Sequence, residues 1–134
     1  MLAAMDAAQA IADLTEISPQ VREVAIVGAD GALVGSNAPV GAAERLVAAA
    51  AKLVEEAELL RPGIAQLEAA TVSGSVFVVR DGGRLIAATT TPEPTVGLVF
   101  YDLKTCLRSV EAPPKRKRRP PAKKTQPEAD DATA

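Results

Sequence analysis

The first stretch able to do chemistry is "IVGADGALVGS", residues 26–36, where three glycines lie between aliphatic residues. A phosphate-cradling loop of the Walker type needs a strand, GxxxxGK[ST] and then a helix, so that backbone N–H groups and a lysine meet the phosphate together. No such lysine or helix follows Gly28. Asp30-Gly31 between two alternating apolar runs is instead a hairpin signal, and Gly35, inside the second run, predicts a bulge or a close backbone approach. The acid pairs Glu55-Glu56 and Asp130-Asp131 are adjacent in sequence, and adjacent helical side chains diverge, so neither pair reads as a general acid and base. Cys106 falls on an apolar helical stripe, where a lone thiol acts as a small hydrophobe. The chain has one cysteine and no histidine, which excludes an internal disulfide and any Ser-His or Cys-His pair. No catalytic residue, metal ligand, cofactor or small-molecule substrate is predicted, and the expectation is a non-enzymatic protein.

The second candidate is a cation cluster: Lys115, Arg116, Lys117, Arg118, Arg119, Lys123 and Lys124. Such a cluster attracts nucleic acid, an anionic membrane or an acidic protein. No aromatic residue is interleaved to stack on bases, so nucleic-acid binding through it would be non-specific and salt-sensitive. "KRKRRP" also matches a nuclear localisation pattern, whereas the Ala/Val/Arg-heavy usage points to a bacterial source.

The net charge of −2 conceals two opposite segments. Residues 1–112 hold 8 Lys/Arg against 14 Asp/Glu, and residues 113–134 hold 7 against 3. The change falls at "EAPPKRKRRPPAKK", so the expected organisation is one acidic domain, 1–112, followed by a disordered basic Pro-rich tail, 113–134. With 48% apolar and 2% aromatic residues, the core must be built from Val, Leu, Ile and many alanines, which bury little area each. Oligomerisation would stabilise such a chain. The N-terminal segment has no signal-peptide character and no apolar run is long enough to span a membrane, so a cytoplasmic protein is expected.

The elements follow from periodicity. A helix is predicted over 3–16 with a stripe of Met5, Ala8, Ile11, Ala12 and Leu14 or Thr15, ended by Ser18-Pro19. "VREVAIV" (21–27) is apolar on both faces, as a covered strand must be, and "ALVGS" (32–36) is a weaker strand. "AAERLVAAAAKLVEEAELL" (42–60) is a long helix ended by Arg61-Pro62-Gly63. Its outward residues Ala48, Ala51 and Leu59 are small or apolar for a solvated face. Helix propensity explains this, and so does a second helix packing there. Strands are predicted at 64–72, 75–80 and 84–90, joined at Ser73-Gly74 and Asp81-Gly82-Gly83, and a last helix starts near Thr91-Pro92 or Pro94. Its apolar face carries Val96, Val99, Phe100, Leu103, Cys106 or Leu107, and Val110. The two more polar strands, at 32 and 64, belong at the edges of a five-stranded antiparallel sheet with helices on both faces, an α/β three-layer sandwich.

The "VREVAIVGADGALVGS" hairpin, the long Ala/Leu helix, the "GSVFVVRDGGRLIAATT" hairpin and the final "VGLVFYDLKTCL" helix together resemble the Roadblock family, over about residues 4–111. The resemblance implies a profilin- or longin-like sandwich with strand order 2-1-5-4-3, the long helix alone on one face and two helices on the other. It implies a homodimer in which the third strands pair and the long helices pack side by side, placing Ala48, Ala51, Glu55, Leu59, Ile64, Gln66 and Glu68 at the interface. It also implies a small Ras-like GTPase as partner, either stimulated in GTP hydrolysis or scaffolded, with Arg45 and Lys52 on the long helix as contacts. Two other readings stand beside it: a dimerisation module whose basic tail binds nucleic acid or anionic membrane, and a small-molecule sensor of PAS or GAF type. The sensor needs a roomy polar-lined pocket, against which an alanine-filled interior argues.

Overall fold

The computed structural model describes residues 6–110. Their order is α1 (Ala7–Ile17), β1 (Val21–Val27), β2 (Leu33–Ser36), α2 (Val40–Leu60), β3 (Gln66–Thr71), β4 (Gly74–Asp81), β5 (Arg84–Thr90) and α3 (Val96–Ser109). The five strands form one antiparallel sheet in the order β2-β1-β5-β4-β3. The two strands expected at the edges are there. The segment from 111 onward, including the cation cluster, lies outside the described residues, as do residues 1–5.

The two faces of the sheet are filled differently. Period-2 alternation sends Val24, Ile26, Phe77, Val79, Ile86 and Ala88 to one side, where α1 and α3 cover them with Ile11, Leu14, Val99, Leu103 and Leu107. The other side, beneath α2, is thinner: Ala25, Val78 and Ala87 meet Leu46, Ala50 and Val54. Small residues let a single long helix sit close to the sheet. Phe77 and Phe100 meet edge to face, with ring centroids 4.9 Å apart.

The structure corrects several sequence expectations. The buried stripe of α1 is Ala7, Ala10, Ile11 and Leu14, and Ala8 and Ala12 point outward. Alanine occurs on every face of this helix and so cannot fix its phase. Contact with β2 does that, because a Cβ at Gly35 would fall 2.7 Å from the Ala7 Cβ. Gly35 is thus the close approach foreseen, and beside it the pairing of β1 with β2 skips Val34, a bulge. α2 begins two residues earlier than expected, with Pro39 at its N-cap. α3 begins later, at Val96 with Thr95 as N-cap, and leaves Val96 exposed. The loop ahead of it is held by Gln20, whose side-chain oxygen accepts from Thr95 N–H at 2.5 Å. The β3–β4 turn is Val72-Ser73, since Gly74 already pairs with Thr71. Gly82 and Gly83 both have positive φ, as the β4–β5 turn requires.

Just past β2, Asn37 acts as a piece of strand. Its Oδ1 accepts from Val24 N–H at 2.8 Å and its Nδ2 donates to the Arg22 carbonyl at 2.8 Å. Val24 is fully buried, so its N–H has no water to fall back on. Asn37→Ala is expected to lower stability by roughly 2 kcal/mol, read as a lower urea midpoint with unchanged slope; Asn37→Asp, which keeps the acceptor but loses the donor, should recover part of this.

Candidate functional site: the outer face of α2 and the β3 edge

The glycine stretch is a turn rather than a phosphate cradle, because the N–H groups of Gly28, Gly31 and Ala32 are used within it. Gly28 N–H donates to the Ala32 carbonyl at 2.9 Å, Gly31 N–H to the Gly28 carbonyl at 2.9 Å, and Ala32 N–H to Asp30 Oδ1 at 3.0 Å. Gly31 has φ +86°, which the turn requires. Cys106 is buried, and its thiol is pushed up to about 12, first by burial and then by the negative charge of Asp13. We expect no alkylation of native Cys106 by iodoacetamide at pH 8, and stoichiometric modification once urea unfolds the chain; rapid native labelling would contradict the packing.

Among the described residues no group of three or more His, Cys, Asp or Glu is placed to hold a metal ion, and no helix is long and apolar enough to cross a membrane. A cleft of about 750 Å³ opens at one end of the sheet between Pro19, Arg22, Glu23, Ser73 and Thr89 to Thr91. Its polar groups are largely committed: Thr89 Oγ1 accepts from Glu23 N–H, and Thr90 Oγ1 accepts from Ser75 N–H while donating to the Thr91 carbonyl. It is an open groove rather than an enclosed binding cavity.

What remains is a surface. On α2, helical spacing buries Ala43, Leu46, Ala50 and Val54 and turns Arg45, Ala48, Lys52, Glu55 and Leu59 outward, with Ala51 on the flank toward β3. Leu59 is 77% exposed. Lys52 pairs with Glu56 at 3.6 Å across one helical turn, an exposed contact worth little. At the sheet edge, β3 pairs with β4 along its whole length, and its other edge has no strand among the described residues. The residues expected together at an interface divide here. Ala48, Ala51, Glu55 and Leu59 share one side of α2. Ile64 precedes β3 and is half-buried in the connection, and Gln66 and Glu68 project on the opposite face of the sheet, opposite Val79 and Phe77 in register. Glu68 is also engaged within the chain, accepting from Ser75 Oγ at 2.8 Å.

A residue that sequence reading passed over fixes the geometry between helix and edge. Glu58 Oε2 accepts from Ile64 N–H at 2.9 Å, Oε1 from Gly63 N–H at 3.1 Å, and Oε2 also meets Arg80 at 3.3 Å. The Ile64 and Gly63 N–H groups, and then Arg80, hold its carboxyl below the usual range. The sign follows: this contribution is present above the unfolded carboxylate pKa and is lost as pH falls through the lower folded value. Glu58 looks like one more solvated helix acid in sequence, because Gly63 and Arg80 become its neighbours only when the chain turns at Pro62.

No protein-family model and no curated protein matches the chain. Solved structures do. A Roadblock/LC7 domain from Streptomyces avermitilis superposes with TM-score 0.65 at 16% identity, over 80% of this chain and 94% of that one. The gliding protein MglB from Thermus thermophilus gives 0.60 at 13% identity, over 78% and 85%. LokiProfilin1, solved in complex with rabbit actin, gives 0.56 at 14% identity, over 81% and 96%. In this chain the likeness rests on the architecture built up above: strand order β2-β1-β5-β4-β3, one long helix alone on one face, and two helices on the other. The chain carries the Roadblock/LC7 fold, within the wider profilin-like class.

Proposed function

We propose that the chain is a homodimeric regulator or scaffold that binds a small Ras-like GTPase and performs no catalysis of its own. The observation that carries this reading is the pairing of an open β3 edge with a long helix whose outer face is small and apolar at Ala48, Ala51 and Leu59. An unpaired edge strand recruits another strand, and a two-fold axis at that edge would bring two α2 helices side by side. Alanines allow their axes to approach closely. The likeness to MglB supports a regulator built on this fold, and Arg45 and Lys52 offer cations to a partner across the paired helices. The acidic domain of residues 1–112 is the dimerising unit in this reading, and the segment 113–134 is an appendage that reaches polyanions or acidic proteins.

The test has two steps. Light scattering at tens of micromolar should give twice the monomer mass, and Ala48→Glu with Ala51→Glu should convert the chain to monomer without lowering its melting temperature by more than a few degrees. A monomeric parent chain would end the proposal. Next, capture of GTP-loaded small GTPases from the native host, followed by GTP turnover with and without the chain, separates an activator from a scaffold. Arg45→Ala with Lys52→Ala is expected to weaken capture while leaving the dimer intact.

A further inference from the structure

α1 and α3 lie side by side and antiparallel on their face of the sheet. Gln20, just after α1, bonds to Thr95, just before α3, and Cys106 Sγ reaches the Ala10 carbonyl at 3.5 Å. On α1, Ala7 and Ile11 turn toward β2, so the flank toward α3 carries Asp6, Asp13 and Ile17. On α3, Phe100 turns toward Phe77 of β4, so the flank toward α1 carries Leu98, Asp102 and Thr105. The groove between the helices therefore has three carboxylates, two exposed aliphatic side chains and no Lys or Arg on either facing flank. Ile17 is 65% exposed and Leu98 49%.

Asp102 is the anomaly in it. Only 8% of it is exposed, yet it takes part in no ion pair and accepts no side-chain hydrogen bond among the described residues. Nor is its carboxylate sealed inside, since Ser18 Oγ is the sole fully enclosed polar side-chain atom there without a partner. Its oxygens therefore open to the groove. A nine-tenths buried carboxylate without a partner is costly, and a guanidinium or ammonium group supplies what it lacks.

The chain carries that group close by. The antiparallel arrangement puts Val110, the last described residue, at the Asp6 end of the groove. The first cation, Lys115, follows five residues later, after Pro113-Pro114. Five residues reach at most about 17 Å, and α1 is about 17 Å long, so Lys115 and the cations after it can sit at any point along the groove. The cation run therefore follows, in sequence, a residue that lies at one end of an acidic groove.

We propose that residues 115–124 dock back along the α1–α3 groove of their own domain, with one of their cations capping Asp102 and the others facing Asp6 and Asp13. The docked segment is withheld from external polyanions, so a phosphate-rich partner must compete with the groove for it. This does not depend on the GTPase reading, because it concerns the face of the sheet opposite α2.

The full chain with Thr125→Cys carries a spin label at that thiol, the buried Cys106 remaining unlabelled. Docking predicts selective broadening of the Ile17, Leu98 and Thr105 amides at about 0.05 M salt and its loss at about 0.5 M, where screening is nearly complete. Asp102→Asn, and separately Arg116, Arg118 and Arg119 each changed to Gln, should reduce the broadening at least threefold with the fold intact by circular dichroism. Uniform broadening or none at low salt overturns the proposal, as does broadening centred on α2. Full transfer of the effect to an isotope-labelled, spin-free copy in a mixed sample also overturns it, because docking is then between chains.

Discussion

Gly74→Ala is expected to cost the domain roughly 3 kcal/mol or more, the sum of an overpacking clash and backbone strain. Gly74 opens β4 with φ +147°, a conformation that side-chain-bearing residues rarely adopt. A Cβ there would lie 2.1 Å from the Thr90 carbonyl oxygen, and 3.2 Å from its carbon. Both atoms are backbone at the end of β5, so no rotamer change relieves the contact. The β3–β4 hairpin must then move away from β5, which breaks the Ser75 N–H to Thr90 Oγ1 bond and shifts the edge proposed to pair between copies. Thermal unfolding by circular dichroism should show a midpoint lower by roughly 15 °C for a domain of this size. Gly97→Ala is the control. No atom lies within 4 Å of a Cβ at Gly97, in the first turn of α3, so alanine there should gain roughly 0.5 kcal/mol. An unchanged midpoint for Gly74→Ala would mean that β5 does not press on the hairpin.

Phe77→Ala should be at least as damaging, at about 3–5 kcal/mol. Phe77 heads the fully buried side chains by size, and it joins β4 to α3 through its edge-to-face contact with Phe100. Few neighbours can collapse into the space it leaves, since α1 and the adjoining strands present Ala7, Ala10 and Ala88 to the same cluster. Phe77→Leu retains most of the volume and should cost less than about 1.5 kcal/mol. Urea unfolding of the pair checks this: the alanine variant should lose most of its native baseline, and the leucine variant should keep it. Equal losses would show that the aromatic ring itself, through its contact with Phe100, and not the volume it fills, is what the site requires.

Much of the fold was legible because period-2 and period-3.6 patterns are properties of neighbouring residues. β1 and β5 fall where runs apolar on both faces place them, and Gly31, Gly82 and Gly83 mark the turns by the positive φ values those turns need. Where alanine dominates, the pattern weakens. Ala8 and Ala12 are indistinguishable by type from Ala7 and Ala10, and only the approach of β2 at Gly35 selects the buried pair. The start of α3 was misplaced for a similar reason, because prolines at 92 and 94 are compatible with either entry and Gln20, far away in sequence, holds the later one.

The candidate surface was legible in part. Ala48, Ala51 and Leu59 stand out on one helix from spacing alone, whereas Arg45 and Lys52 are singled out by the family resemblance, and all five are exposed. The separation of Gln66 and Glu68 onto the other face of the sheet could not be read from polarity, since an edge strand is polar whichever face its side chains take.

Residue types and short spacings were enough to place the strands and helices, to mark the two edge strands, to rule out histidine-based catalysis, and to separate an acidic region from a basic one. Those are consequences of residue type and short spacing. Only the packed chain shows that Gly74 must lack a side chain, that Asn37 completes β1, that Glu58 ties α2 to the approach to β3, and that the buried Asp102 has no ion pair among the described residues. Each depends on groups brought within a few ångströms by the closing of the sheet, and no local pattern encodes such a distance.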